Sequence, residues 1–73
     1  MKLKIESHIN GRFKGCNGST VFELTNGQKW QQAEFKYHYS DRYQPEVKIW
    51  EKNDGHYIGV DGENDLVKVR RMQ

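Results

Sequence analysis

The sequence predicts an all-β fold, and three observations support that prediction. Apolar and polar side chains alternate with a period of two in several segments, as in residues 2–6 and 67–70. Seven glycines separate such segments, which is typical of a chain with many tight turns. No segment repeats its apolar residues at helical spacing for more than one turn. We therefore expect short antiparallel strands and no long helix.

The first strand is expected over residues 2–6. Leu3 and Ile5 share one face there, and charged side chains occupy the other face. A turn at residues 10–11 and a glycine-containing loop at residues 15–18 then lead to the next element.

Residues 20–32 contain the strongest turn signal in the chain. The dipeptide Asn26-Gly27 lies between two segments of alternating apolar residues, which predicts a β-hairpin. Loops of two and of three residues both accommodate this dipeptide, so the register depends on the cross-strand pairs that each loop produces.

The two loop lengths give different pairs. A two-residue loop sets Glu23 opposite Trp30 and mixes polar and apolar side chains on each face. A three-residue loop sets Phe22 opposite Trp30 and Glu23 opposite Lys29, which matches both faces. It also requires a left-handed residue at its last position, and Gly27 adopts that conformation at no steric cost. We predict the three-residue loop.

Alternation continues after the hairpin at Phe35, Tyr37 and Tyr39, with polar side chains between them. Pro45 interrupts the pattern. It lacks an N–H donor, so we expect it at a strand edge or a strand start.

A second hairpin is predicted around the Asn-Asp-Gly turn at residues 53–55, between strands at residues 47–50 and 56–60. Ile49 and Trp50 are neighbours and compete for its inner face. The pattern leaves this register open.

A chain of 73 residues makes one domain, residues 1–73, near the lower size limit for a core that folds alone. Turns recur at intervals of about 8–12 residues, which indicates a small barrel or sandwich. The last of them, at residues 61–64, precedes the final strand. Because the chain is short and one hairpin is strongly bent, a small SH3-like antiparallel barrel of five to six strands is the most economical fold. So small a core supplies only about 3–5 kcal/mol, and open strand edges invite pairing, so we expect a homo-oligomer.

Composition limits the partners and the cellular location that we expect for the protein. Twelve Lys and Arg against ten Asp and Glu give a net charge of +2, too small to imply a nucleic-acid partner by itself. The first residues do not form the apolar segment of a signal peptide, and no apolar run is long enough to cross a membrane. Cys16 is the one cysteine, so it cannot form an intrachain disulfide, and a reduced thiol suits the cytoplasm. We expect a cytoplasmic protein in which Cys16 has a structural or incidental role.

A longer pattern resembles a known family. It covers nearly the whole chain: Phe13-x-Gly15, Thr20-x-Phe22-x-Leu24, Asn26-Gly27-Gln28-x-Trp30-x-Gln32, Tyr37-x-Tyr39, Tyr43-x-Pro45-x-Val47-x-Ile49, Val60-x-Gly62 and Val67-x-Val69-x-Arg71. It is similar to small bacterial SH3-like β-barrel proteins and C-terminal domains, some carried on mobile gene cassettes, whose function is uncharacterised. The resemblance implies an SH3-like barrel and assigns no activity.

Two positions depart from that family. Cys16 stands where an aromatic residue, usually Trp, is expected, and Gln44 stands where Arg is expected before the proline. A family ligand site near either position would be altered or lost in this chain.

The leading functional hypothesis is a non-catalytic module that binds a protein or peptide through an aromatic groove. Grooves lined by such rings hold extended peptides in comparable barrels. In so small a barrel we favour the structural alternative that Tyr37 and Tyr39 face the core. From the binding hypothesis we predict that at least two of the tyrosines are exposed with Arg42 beside them. The candidate ligand-binding residues are Tyr37, Tyr39, Arg42, Tyr43 and Trp50.

Two alternatives belong to other classes. One is a nucleic-acid-binding module, in which rings stack on bases and cations meet phosphates; its additional candidates are Lys36, His38, Arg70 and Arg71. The other is an enzyme whose site forms only on oligomerisation, by analogy of fold with small barrels that build an active site in a tetramer pore. The sequence indicates no catalytic residues and no cofactor. It also shows no metal-ligand spacing among its three histidines.

Overall fold

A computed structural model describes residues 2–62 and 65–72, with the exception of the His38 side chain; two residues of the predicted turn at 61–64, Glu63 and Asn64, lie outside it. The described residues contain no helix, so none of them forms an apolar helix of membrane-spanning length. The predicted all-β antiparallel fold is confirmed. The eight strands are β1 (Lys2–His8), β2 (Arg12–Asn17), β3 (Val21–Glu23), β4 (Lys29–Gln32), β5 (Tyr37–Tyr43), β6 (Glu46–Lys52), β7 (Gly55–Val60) and β8 (Val67–Arg71).

Six of the strands form one antiparallel sheet in the order β1-β6-β7-β8-β4-β3, and β2 pairs only with β5. The larger sheet curls until its two edge strands meet at one end. There Ile9 forms a bridge with Leu24, and the Thr25 N–H donates to the His8 carbonyl over 2.8 Å. The result is a small barrel-like sheet.

The structure has eight strands where five to six were predicted, because two long strands are bent. The β1–β6 pairing continues into β2–β5 through the bond from the Ile9 N–H to the Pro45 carbonyl and the bond from the Gln44 N–H to the Gly11 carbonyl. Left-handed residues on both strands mark the bend, Gly11 with φ of 92° and Gln44 with φ of 47°. We call the outer part of this ribbon, β2 with β5, the arm.

The predicted register of the first hairpin is confirmed. Phe22 lies opposite Trp30 and Glu23 lies opposite Lys29. Both rings are buried, and the Lys29 Nζ lies 4.0 Å from the Glu23 carboxylate on the outer face. Gly27 closes the three-residue loop with φ of 90°, and its N–H donates to the Leu24 carbonyl over 3.1 Å.

The second hairpin settles the competition between Ile49 and Trp50. Ile49 is fully buried opposite Ile58, whereas Trp50 is half-buried opposite Tyr57. Branched aliphatic side chains therefore fill the centre of the sheet, and the buried rings among the described side chains are Phe13, Phe22 and Trp30.

Two glutamines of the hairpin motif bond inside the fold. The Gln28 Oε1 accepts the Trp30 Nε1–H over 3.1 Å. Gln32 is only 4% exposed, and its side-chain amide accepts the Gly18 N–H and donates to the carbonyls of Glu34 and Lys36. These two motif residues thus have structural partners.

Candidate functional site

The consecutive strands β2 and β3 are hydrogen-bonded at both ends and open between them. At one end the Asn10 N–H donates to the Glu23 carbonyl over 2.7 Å. At the other end the Asn17 N–H donates to the Thr20 Oγ1, and that hydroxyl donates to the Asn17 Oδ1, both over 3.1 Å. Between these ends β2 pairs with β5 and β3 pairs with β4.

The opening follows from unequal chain lengths. Residues 11–16 run along one side, and only residues 21–22 run along the other. The left-handed turn at Gly11 directs the longer side toward β5, so the two strands diverge.

The space between β2 and β3, with the side chains around it, is the β2–β3 groove. It is open to solvent and has a volume of about 580 Å³. Its floor is core: Phe13, Cys16 and Phe22 are buried, and the rings of Phe13 and Phe22 lie 6.0 Å apart. The lining residues on β2 and β5 are Arg12, Phe13, Lys14, Gly15, Cys16, Asn17, Tyr37 and Tyr39, and the others are Ile9, Asn10, Thr20, Val21, Phe22 and Glu23.

Two predicted site residues lie at this groove. Tyr37 is 74% exposed and Tyr39 is 71% exposed. The alternative that these rings face the core is therefore wrong, and the expected exposure of at least two tyrosines is confirmed. The arm lies outside the six-stranded sheet and packs on the core through Phe13 and Cys16, so its outer face is left to solvent.

The remaining aromatic candidates lie outside the groove. Tyr43 is 76% exposed at the far end of β5, opposite Arg12. Trp50 lines a separate shallow depression of about 200 Å³ with residues 59–62 and two β6 side chains, Glu46 and Lys48. The structure thus groups Tyr37 with Tyr39 and places the other two rings elsewhere.

Arg42 points to the opposite face of the arm from these tyrosines. It lies opposite Phe13 in the register, and cross-strand partners share a face. Its Nη2 donates to the Gly62 carbonyl over 3.4 Å, so its guanidinium lies at the turn after β7. The predicted placement of Arg42 beside the tyrosines is therefore wrong, and the arginine that lines the groove is Arg12.

The charges at the groove are mostly compensated. The Arg12 Nε lies 3.0 Å from the Asp41 Oδ1, and the Glu23 carboxylate lies 4.0 Å from the Lys29 Nζ and accepts a bond from the Asn10 amide over 3.1 Å. Lys14 is exposed, and no hydrogen bond or ion pair joins its side chain to another residue in the described part of the chain. Lys14 therefore gives the groove one uncompensated positive charge.

The outer edge of β3 presents free backbone groups to the groove. The Gln32 N–H donates to the Thr20 carbonyl and the Leu24 N–H donates to the Gln28 carbonyl, so Val21 and Glu23 alternate away from β4. The Glu23 carbonyl is bonded by Asn10. No other described residue bonds the Val21 N–H, the Val21 carbonyl or the Glu23 N–H.

The candidates for nucleic-acid binding are dispersed. The Lys36 Nζ donates to the Leu66 carbonyl over 3.1 Å, and the Arg70 Nη2 donates to the Gln31 Oε1 over 2.9 Å. Arg71 lies on β8 opposite Trp30, and the side chain of His38 lies outside the described part of the structure. Lys36, Arg70 and Arg71 therefore lie outside the β2–β3 groove and on different parts of the surface.

Sequence reasoning named only Tyr37 and Tyr39 among the groove residues, and the exposed ones that it missed include Arg12, Lys14 and Val21. The charged pair flanks the apolar Phe13, which is a signal for the solvent face of a strand. That this face borders an opening follows only from the topology. Among residues 2–62 and 65–72, no group of three or more His, Cys, Asp or Glu side chains could hold a metal ion.

Comparison with known proteins adds no relative: no family model, curated protein or solved structure matches this chain. The assignment of the groove therefore depends on its geometry.

Proposed function

We propose that this chain is a non-catalytic binding module that takes a peptide segment of a protein partner in the β2–β3 groove. The observation that supports this most is the exposure of Tyr37 and Tyr39, 74% and 71%, beside an opening of about 580 Å³. Small-ligand and peptide sites have volumes of this order, and exposed tyrosines are common contact residues at their centre. The resemblance to small bacterial SH3-like barrels is part of the same proposal.

A peptide suits the charges of the groove better than a nucleic-acid backbone does. Phosphate chains are bound by several cations on one side of a protein. Here Asp41 compensates Arg12, and Lys14 is left as a single positive charge. Rings with one cation are typical of sites for peptides and carboxylates.

Selection from a random heptapeptide library displayed on phage tests the proposal. Peptides enriched on the immobilised protein are synthesised, and their Kd values are measured by isothermal titration calorimetry. Tyr39→Ala should raise Kd about tenfold or more, as the loss of a contact tyrosine does. The thermal midpoint should stay unchanged, because the ring is mostly in solvent.

Tyr43→Ala is the matched control, since Tyr43 is equally exposed on the same strand and does not line the groove. Its Kd should equal that of the wild type. The proposal fails if no peptide is enriched, or if both variants weaken binding equally.

The nucleic-acid alternative is tested with a fluorescein-labelled single-stranded oligonucleotide. Binding through phosphates would weaken steeply between 50 and 200 mM salt. Peptide binding through the tyrosines should change little over that range. A steep salt dependence together with loss of binding in Arg70→Ala would favour the nucleic-acid module.

A further inference from the structure

We infer that the β2–β3 groove binds its peptide as a short added strand along the outer edge of β3, with an acidic side chain of the peptide facing Lys14. The inference rests on the proposed function, and it adds the mode of binding and the chemistry of the partner.

The free backbone groups of β3 define the hydrogen bonds of such a strand. A peptide residue opposite Val21 would exchange two bonds with it, one with the Val21 N–H and one with the Val21 carbonyl. The peptide would not extend opposite Glu23, because Asn10 already lies there and donates to the Glu23 carbonyl. Unpaired groups at a strand edge are a general site for strand addition.

The closed ends of the groove limit the length of the segment. The bond from Asn10 to Glu23 closes one end, and the bonds between Asn17 and Thr20 close the other. Two extended residues cover about 7 Å, which corresponds to the open stretch of Val21 and Phe22. Side chains of the added strand would alternate between the apolar floor and the solvent face, where Tyr37 and Tyr39 lie.

Charge complementarity specifies one side chain of the peptide. Lys14 lines the groove and has no charged or hydrogen-bonding partner among the described residues. The neighbouring Arg12 is held by Asp41 at 3.0 Å and is less available to a ligand. An Asp or Glu of the peptide would compensate Lys14, so acidic residues should recur at one position of the selected heptapeptides.

An N-methyl scan of one selected heptapeptide tests the added strand without altering the protein. Methylation of the amide that donates to the Val21 carbonyl should raise Kd about tenfold or more, since it removes that bond. Methylation of the amides on either side should have a smaller effect, because alternate N–H groups point away from β3. Equal effects at all positions would overturn the added-strand mode.

Val21→Pro gives the complementary test on the protein. Because the Val21 N–H points away from β4, proline removes that donor and leaves the β3–β4 bonds in place. Val21→Thr is the control, since it keeps the N–H and a branched side chain. Val21→Pro should bind the heptapeptide about tenfold more weakly than Val21→Thr, and equal affinities of two folded variants would contradict the inference. If Val21→Pro does not fold, the N-methyl scan alone decides.

A charge reversal tests the acidic residue. Lys14→Glu should weaken the heptapeptide, and a peptide with Lys in place of its acidic residue should restore binding to that variant. Lys48→Glu, on β6 beside the separate depression, makes the same charge change outside the groove and should have no effect. Equal weakening by both variants would overturn the role of Lys14. If Tyr39→Ala weakens binding but neither the N-methyl scan nor Val21→Pro shows the expected loss, the proposed function is supported and this inference is refuted.

Discussion

Gln32 shows how a single polar side chain organises residues that are distant in sequence. Its amide is 4% exposed and makes three hydrogen bonds, to Gly18 at 2.8 Å and to Glu34 and Lys36 at 2.9 Å each. It thereby links the turn before β3 to the segment that leads into the arm. Because its acceptor oxygen and both amide hydrogens are used, its burial carries little desolvation cost.

Replacement of Gln32 by Ala should destabilise the protein by about 1–3 kcal/mol, because it leaves three partly buried backbone groups without partners. The denaturant midpoint at equilibrium measures the change. The adjacent Gln31 side chain has the exposed Arg70 side chain as its one partner in the described part of the chain, so Gln31→Ala should alter stability by less than about 0.5 kcal/mol. Equal effects of the two substitutions would refute this role of Gln32.

Gly27→Ala isolates the cost of a left-handed backbone. A Cβ at Gly27 would meet no atom within 4 Å, so the substitution adds strain at φ of 90° and no steric overlap. We expect a loss of about 1 kcal/mol in the free energy of unfolding. Gly27→Asn should lose less, since asparagine tolerates this conformation better. An unchanged midpoint for Gly27→Ala would contradict the loop assignment.

The register of the first hairpin could be predicted because all of its determinants are local. Only the three-residue loop gives matched pairs on both faces, with Phe22 opposite Trp30 and Glu23 opposite Lys29. The bonds of Gln32 could not be predicted, because they depend on where the chain brings residues 18 and 34–36.

At the scale of elements, the arm explains why the tyrosines were misjudged. Tyr37 and Tyr39 alternate with polar residues as core residues of a barrel strand do. Alternation with a period of two indicates that the two faces of a strand differ, but it does not indicate which face is buried against the core. The bend at Gly11 and Gln44 takes β5 out of the six-stranded sheet, and that bend decides the exposure.

The turn of the second hairpin provides a titratable pair. The Tyr57 hydroxyl donates to the Asp54 Oδ2 over 2.9 Å, and the Lys52 Nζ lies 4.7 Å from the centre of the tyrosine ring. This hydrogen bond lowers the pKa of Asp54 and raises the pKa of Tyr57 from their ordinary values. Both groups are at the surface, so the effect on overall stability is small.

Tyr57→Phe should raise the pKa of Asp54 toward its ordinary value, measured from the side-chain carboxyl ¹³C shift during an acid titration. In the wild type the stabilisation from Asp54 is present above about pH 4 and is lost as the pH falls through the lowered value. The contribution of Tyr57 is present below about pH 10 and is lost as the pH rises through the raised value. Tyr43→Phe removes a hydroxyl elsewhere and should leave the Asp54 titration unchanged. An unaltered Asp54 pKa in Tyr57→Phe would contradict the role of this bond.

At the scale of the whole molecule, we expect self-association. The strand β1 ends the six-stranded sheet, and Leu3 on it is partly exposed. A core of this size is marginal alone, and pairing of edges would add to it. Sedimentation equilibrium should give a mass above 8.7 kDa that rises with concentration. Leu3→Lys should reduce this association, whereas Met72→Lys, also at an exposed apolar side chain, should not. A mass of 8.7 kDa at every concentration would refute self-association.

The continuous bent ribbon has a consequence for the order in which the chain folds. Its pairs are nested, from Asn17 with Tyr37 in the arm outward to Lys2 with Glu51. The free-energy cost of closing a loop rises with the logarithm of its length, so the innermost pair is the least costly to form first. Residues 18–36 contain the local β3–β4 hairpin, which shortens that loop further once it has formed. Closure should then spread from the arm to β1, so that Cys16→Ala at the inner end slows folding while Leu3→Ala at the outer end mainly speeds unfolding. The arm, whose tyrosines are exposed, should thus also be the part of the ribbon in which strand pairing begins.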